Sequence, residues 1–299
     1  KIQKKLDNFL NYNKKNGNFF IDPILRFGGK RNFNQNFSDN FIKIFGKPLL
    51  KNDKFSNYHK DLAFNVQWRL EDVVKLLVKD LIKITKISNL CLAGGVHMNC
   101  KLNGELANLP EVKRIYIQPA SSDNGVSLGA AMLSAKKDGG SFQKMEHCYY
   151  GNKFSDKEIL NFLRESKLNF QKYSNIEKIV AQKLAKGKIV GWFQGRSEVG
   201  ARALGNRSIL ASPLIKNMKN KLNYEVKHRE SWRPFCPSII DYKYQSYFGN
   251  VPESDFMILA FKMKKKYRNI LPSAVHIDGS SRPQIVKKKT NKRFYKLLK

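Results

Sequence analysis

The sequence predicts an α/β protein of two domains, and three observations carry that prediction. Short apolar runs alternate with amphipathic segments between Asn65 and Lys136, the layering expected of strands backed by helices. Two loops follow those runs, Gly94-Gly95 and Asp123-Asn124-Gly125, where α/β sheets place ligands. Near residues 140–150 the texture changes, with Gly139-Gly140-Ser141 and a polar stretch marking a boundary. The expected division is therefore 1–145 and 146–299, and 299 residues suffice for two cores.

Taken in order, residues 1–60 are rich in Asn, Lys and Phe, with a Gly28-Gly29 turn and Pro23 and Pro48 as punctuation. They read as loop with short elements and carry no nameable chemistry. From Asn65 to Ile84 a helix is expected, because Val66, Leu70, Val73, Val74, Leu77, Val78, Leu81 and Ile82 make one wide apolar face. Asn89–Ala93 reads as a buried strand in which Cys91 is a small core residue. It stops at Gly94-Gly95, and Val96–Leu106 then reads as a helix with Asn99 and Asn103 on one face. Arg114–Ile117 is a second strand, and Val126–Lys136 a small-residue helix in which Gly129, Ala130 and Ala131 permit close packing. Asp123 is placed to cap that helix or to bind a ligand. Ser155–Glu165 and Ile176–Lys186 are helical in pattern, the first with Ser155 and Glu158 as a capping box.

The apolar run Ile189–Phe193 feeds the stretch around which the chain is organised, Gly195–Ser208. Gly195, Gly200 and Gly205 recur at five-residue spacing, with Arg196, Arg202 and Arg207 among them and Glu198, Asn206 and Ser208 as orienting groups. Glycine permits positive φ and close approach, while the guanidinium fork grips phosphate or carboxylate with two bonds. A solvated surface loop is the plain alternative, but the density of glycine, arginine and amide favours an anion cradle. Downstream, a helix expected over Met218–Val226 delivers Lys227 and Arg229, with Trp232, Arg233 and Phe235 following. Trp232 and Phe235 read as core. A later turn carries His276, Asp278 and Arg282.

Together, Gly195–Ser208, Lys227–Pro237 and His276–Gln284 resemble the C-terminal domain of the carbamoyltransferases that act on nodulation factors and antibiotics. The resemblance extends upstream through Leu90–Ala131. It implies the C-terminal half of an actin-like (ASKHA, ribonuclease-H-like) domain followed by a YrdC-like α/β domain. It implies two stages: carbamoyl phosphate and ATP give a carbamoyl-adenylate, which carbamoylates a hydroxyl of a sugar-containing acceptor. It assigns catalysis to Arg202, Arg207, Lys227, Arg229, His276 and Asp278. Substrate contacts fall to Arg196, Glu198, Asn206, Arg233 and Arg282. Nucleotide contacts fall to Gly94, Gly95, Asn99 and Asn124, and a divalent metal, iron or magnesium, to Asp123. Family members also carry an earlier half-domain with a paired-histidine metal motif. The five histidines here include no pair at three- or four-residue spacing, so that half is expected to lie outside this chain or to have been lost.

Composition narrows the alternatives. Hydrophobic content of 41% is low for a globular chain, but 12% aromatics argue against disorder. A net charge of +32 suggests nucleic acid first. Yet the lysines are spread along the chain without a nucleic-acid motif, so no specific nucleic-acid partner is expected. A positive field that gathers phosphorylated substrates is the better use. No apolar run approaches membrane-span length, and Cys91, Cys100, Cys148 and Cys236 form no C-x-x-C pair. A cytoplasmic setting without membrane partners is the expectation. Two other functions remain: an actin-like sugar or small-molecule kinase, and a basic nucleic-acid-binding protein.

Overall fold

The structure, a computed structural model, describes residues 1–22, 37–50, 53–142 and 144–299. Pro23 and the Gly28-Gly29 turn lie outside the described residues. By internal contacts the chain forms two units, Lys1–Asn89 with Leu109–Lys113, and Leu90–Asn108 with Arg114–Lys299.

In the first unit, α1 (Ile2–Asp7) leads into an antiparallel hairpin of β1 (Leu10–Asn13) and β2 (Asn18–Ile21), in register Leu10 to Ile21. Two helices follow, α2 (Asp39–Phe45), capped by the Ser38 hydroxyl, and the 29-residue α3 (Asn57–Thr85). Leu6, Phe9 and Phe45 form a small core. The wide apolar face expected of α3 is only partly used: Val73, Val78 and Ile82 are buried, whereas Val66, Leu77 and Leu81 are exposed. The reason is that α1 and β1, its partners within the unit, are short. Arg69 supplies what the small core does not. Its Nε donates to the Leu10 carbonyl at 2.7 Å, and its terminal nitrogens reach Asn11, Asp7 and Asp72.

The second unit is a mixed α/β assembly of two-stranded sheets. Its first strand, β3 (Asn89–Leu92), pairs with β4 (Arg114–Ile117), and between them lies α4 (Cys100–Ala107). Next come α5 (Val126–Lys137), α6 (Asp156–Glu165) and α7 (Ile176–Ala185). The hairpin of β5 (Val190–Phe193) and β6 (Arg207–Leu210) holds the Gly/Arg loop between its strands. After the short α8 (Met218–Lys221) come β7 (Ser238–Ile240), α9 (Tyr244–Phe248), β8 (Phe261–Lys262) and α10 (Lys265–Arg268). The chain closes with β9 (Ser280–Ser281), β10 (Gln284–Val286) and α11 (Lys292–Leu298). β10 runs parallel to β7, and β9 antiparallel to β8. The main core gathers Phe261, Met263, Ile285, Phe248 and Ile117. A second packs α7 and α11 on Trp192 and Val286.

Several expectations need correcting. Cys91 is exposed, because β3 has one strand partner and turns only Leu90 inward. The helix expected over Val96–Leu106 is broken: Gly95–Met98 forms a 3₁₀ turn and α4 starts afresh at Cys100. Asn99 breaks it by accepting the Leu102 N–H with its own side chain, the backbone competition that makes Asn a cap rather than an interior residue. α5 buries none of its residues, and a Cβ at Gly129 would touch nothing, so the close packing expected of its small residues is not seen. Trp232 is exposed rather than core, with the Arg233 guanidinium over its ring. The Met218 helix ends early, winding into a π-helical turn over Leu222–Val226.

Candidate anion site

The Gly/Arg loop is fixed by its own side chains. All three glycines take positive φ, +48° at Gly195, +109° at Gly200 and +102° at Gly205. At Gly205 a Cβ would fall 2.3 Å from the buried Phe294 ring, so only glycine fits. The Glu198 carboxylate accepts the backbone N–H groups of Leu204, Asn206 and Arg207 at 2.7, 2.8 and 3.3 Å. It therefore works as a loop anchor. Asn206 is buried, receives Gln194 and Asn291 amides at 2.7 and 2.9 Å, and donates to the Arg196 carbonyl. Arg207 stacks 3.6 Å over Phe193 and donates to the carbonyls of Gln194, Asn206, Asn152 and Gly195. These contacts occupy Glu198, Asn206 and Arg207 with the loop itself. Arg196 is exposed, with one bond to the Gly151 carbonyl.

Arg202 behaves differently. Its Nε is buried with no hydrogen-bond partner among the described residues. Burial, and then the positive charge of Arg282, push its guanidinium below the ordinary arginine value. Burial followed by Arg233 does the same to Arg229, on which Arg282 and Cys236 also act. Burial works against charge on Arg282 as well, but the sulfurs of Cys236 and Cys100 outweigh it and shift that group upward. Arg282 donates from Nε to Cys236 Sγ at 3.0 Å. Cys236 thus bonds Arg282 and acts electrostatically on Arg202 and Arg229, residues scattered over some eighty positions of sequence. Arg229 is held in place by Asn223 Oδ1 at 2.7 Å and by the Phe235 ring beneath it. The carboxylate beside this group, Glu230, is engaged by Arg233 at 2.8 Å. Glu230 offsets part of the charge on Arg229 and Arg233, but Arg202 and Arg282 still repel one another, and a bound anion relieves both that repulsion and the orphaned donor.

Other candidates lie apart from this cluster in their contacts. Lys227 is exposed after the π-helical turn. His276 and Asp278 belong to an Asx-type turn with a 3.2 Å contact between Nδ1 and Oδ1. Burial raises the Asp278 carboxyl, but the Ser280 hydroxyl and N–H and then Lys262 hold it well below its usual range. Gly94 donates its N–H to the Ser121 carbonyl at 2.6 Å, bringing the two loops after β3 and β4 side by side. A Cβ at Gly94 or Gly95 would meet nothing, so that face is open to a ligand. Asn99 is the α4 cap, while Asp123 and Asn124 are exposed in a 3₁₀ turn. Among the described residues no group of three His, Cys, Asp or Glu side chains could hold a metal ion. Asp123 by itself does not make a metal site.

Sequence reasoning missed Cys236 and Cys100, which carry no motif. It also missed Tyr149, Gln194, Gln284 and Asn291, whose side chains join Asn206 beneath the loop. Their signal would have been polar residues at strand and helix ends with no solvent-facing pattern.

Comparison with known proteins decides the family. The model of the carbamoyltransferase N-terminus matches residues 3–132, and that of the carbamoyltransferase C-terminus matches 181–299. The chain belongs to the carbamoyltransferase family. Nodulation protein NolNO of Sinorhizobium fredii is 35% identical over 253 residues, covering 82% of this chain and 37% of its own length. Nodulation protein NolO of Bradyrhizobium diazoefficiens is 34% identical over 268 residues, covering 85% and 49%. An uncharacterized protein of Methanocaldococcus jannaschii is 36% identical over 265 residues, covering 86% and 44%. This carbamoyltransferase chain therefore spans about half or less of the length of these relatives. No helix among its described residues is long and apolar enough to cross a membrane.

Proposed function

We propose that this chain serves O-carbamoyl transfer, and that Arg202, Arg229 and Arg282 bind the carbamoyl phosphate that starts it. The observation that carries this reading is the convergence of three guanidiniums on Cys236, with a buried Arg202 donor left unpaired. In the first stage water hydrolyses carbamoyl phosphate to carbamate and phosphate, and a carbamate oxygen attacks the α-phosphorus of ATP, giving carbamoyl-adenylate and pyrophosphate. Negative charge gathers on both departing groups. Fixed guanidiniums aimed at those oxygens lower the barrier without reorganising. In the second stage an acceptor hydroxyl attacks the carbamoyl carbon and AMP leaves. A sugar hydroxyl is the acceptor class we favour, with the open Gly94-Gly95 loop and Asn99 and Asn124 on the nucleotide side of that step. The architecture that goes with this reading is a partial actin-like domain over 1–145 and a YrdC-like domain over 146–299.

The test is pyrophosphate release on incubation with ATP and carbamoyl phosphate. Release that depends on carbamoyl phosphate, and that Arg202→Ala lowers by about a hundredfold, is the expected result. Formation of ADP without pyrophosphate would replace this reading with a kinase.

A further inference from the structure

A second positively charged site is built on other residues of the Gly/Arg loop, Gly195, Arg196 and Asn206. A groove of about 490 Å³ opens there, rimmed by Lys153, Arg196, Lys292 and Arg293. Among the described residues no carboxylate lines it. Glu177, outside the lining, holds Arg293 Nε at 3.1 Å and is shared with Lys296 at 3.5 Å, and Glu198 is spent on backbone N–H groups of the loop. The floor is rigid. Gln194 Nε2 donates to both Asn206 Oδ1 and Asn291 Oδ1 at 2.7 Å, and all three amides are buried. Trp192 Nε1 fixes the Gln194 oxygen at 3.0 Å, and Asn291 Nδ2 reaches the Tyr149 hydroxyl at 3.0 Å. At one end the His147 and Tyr149 rings are stacked, with centroids 5.6 Å apart.

We infer that this groove is a binding site for a phosphate-bearing ligand up to the size of a mononucleotide. Four cations around a preformed amide floor supply charge and directed hydrogen bonds at little ordering cost. Its volume falls in the range of small-molecule sites, well above what a lone phosphate fills. The ring pair offers a flat surface on which a base can lie. The Arg202 cluster is a separate group of residues and shares none of this lining. The inference stands on its own residues, independently of the carbamoyl-transfer reading.

The test is calorimetric titration of the chain with pyrophosphate, AMP and ATP. Wild type is compared with Lys153→Glu/Lys292→Glu, and with Lys183→Glu/Lys188→Glu, which removes the same net charge from exposed positions outside the groove. The expected result is a loss of about tenfold or more in the groove variant, and less than about threefold in the control. In an Arg202→Ala background, which weakens carbamoyl phosphate, Lys153→Glu/Lys292→Glu should still lower pyrophosphate and AMP binding by about tenfold, so the two readings fail separately. AMP binding as well as pyrophosphate marks the ligand as a nucleotide. Pyrophosphate alone marks it as a free phosphate compound, and both outcomes support the site. Equal losses in groove and control variants, or binding of polynucleotide only, would overturn it. A circular-dichroism melt within about 2 °C of wild type shows that the variants fold.

Discussion

Arg202 and Arg207 lie five positions apart in one loop, yet the structure predicts opposite consequences for their loss. Arg207 satisfies four carbonyls and stacks on Phe193, so Arg207→Ala should lower stability by about 2 kcal/mol in urea unfolding. Arg202 is half-buried near Arg282, with a buried Nε that has no partner among the described residues, so Arg202→Ala should leave stability unchanged or raised while weakening anion binding. A drop matching that of Arg207→Ala would mean that Arg202 is structural. The sequence does not distinguish them: both are arginines in one glycine-spaced loop, and only the backbone path separates them. Cys148 gives a second residue-level test. Burial first, then Glu198, pushes its thiol from 9.0 to about 12. A raised folded-state value means its contribution is full below pH 9 and is lost as pH climbs toward 12. The stability gap between wild type and Cys148→Ala should therefore narrow above pH 9, and iodoacetamide at pH 8 should label exposed Cys91 and spare Cys148.

At the scale of elements, local signals were legible where the chemistry is local. The Ser155–Glu158 capping box is present with bonds of 2.7 and 3.2 Å, and α6 begins and ends beside the expected positions. Positive φ at all three loop glycines was also foreseeable from their spacing. What failed was anything that depends on partners elsewhere. The apolar pattern of Val96–Leu106 could not reveal that Asn99 would cap, and the apolar face of α3 did not say how much of it would be covered. The β5–β6 hairpin gives the sharpest prediction here. Gly205→Ala places a methyl against the Phe294 ring at a φ of +102°. It should cost about 3 kcal/mol, read as a lowered urea midpoint. A loss under about 1 kcal/mol would show that Phe294 can move aside.

For the molecule as a whole, a charge of +32 acts over the distance of a Debye length and helps gather anions, but it does not choose among them. Discrimination comes from short-range geometry, and spacing along the chain does not contain the distances between motifs. That Lys227–Pro237 and His276–Gln284 both send arginines toward Arg202 is legible as family resemblance. That Cys236 sits at their meeting point, and that His276 and Asp278 belong to a separate turn held by Lys262, is not. The central claim is that Arg202 and Arg282 act on one anion. A double-mutant cycle on carbamoyl phosphate affinity tests it most directly. Each alanine variant should weaken binding by about tenfold or more, with the double variant little worse than either single, a coupling of at least about 1 kcal/mol. Losses that simply multiply, or single variants that bind as wild type does, would contradict it.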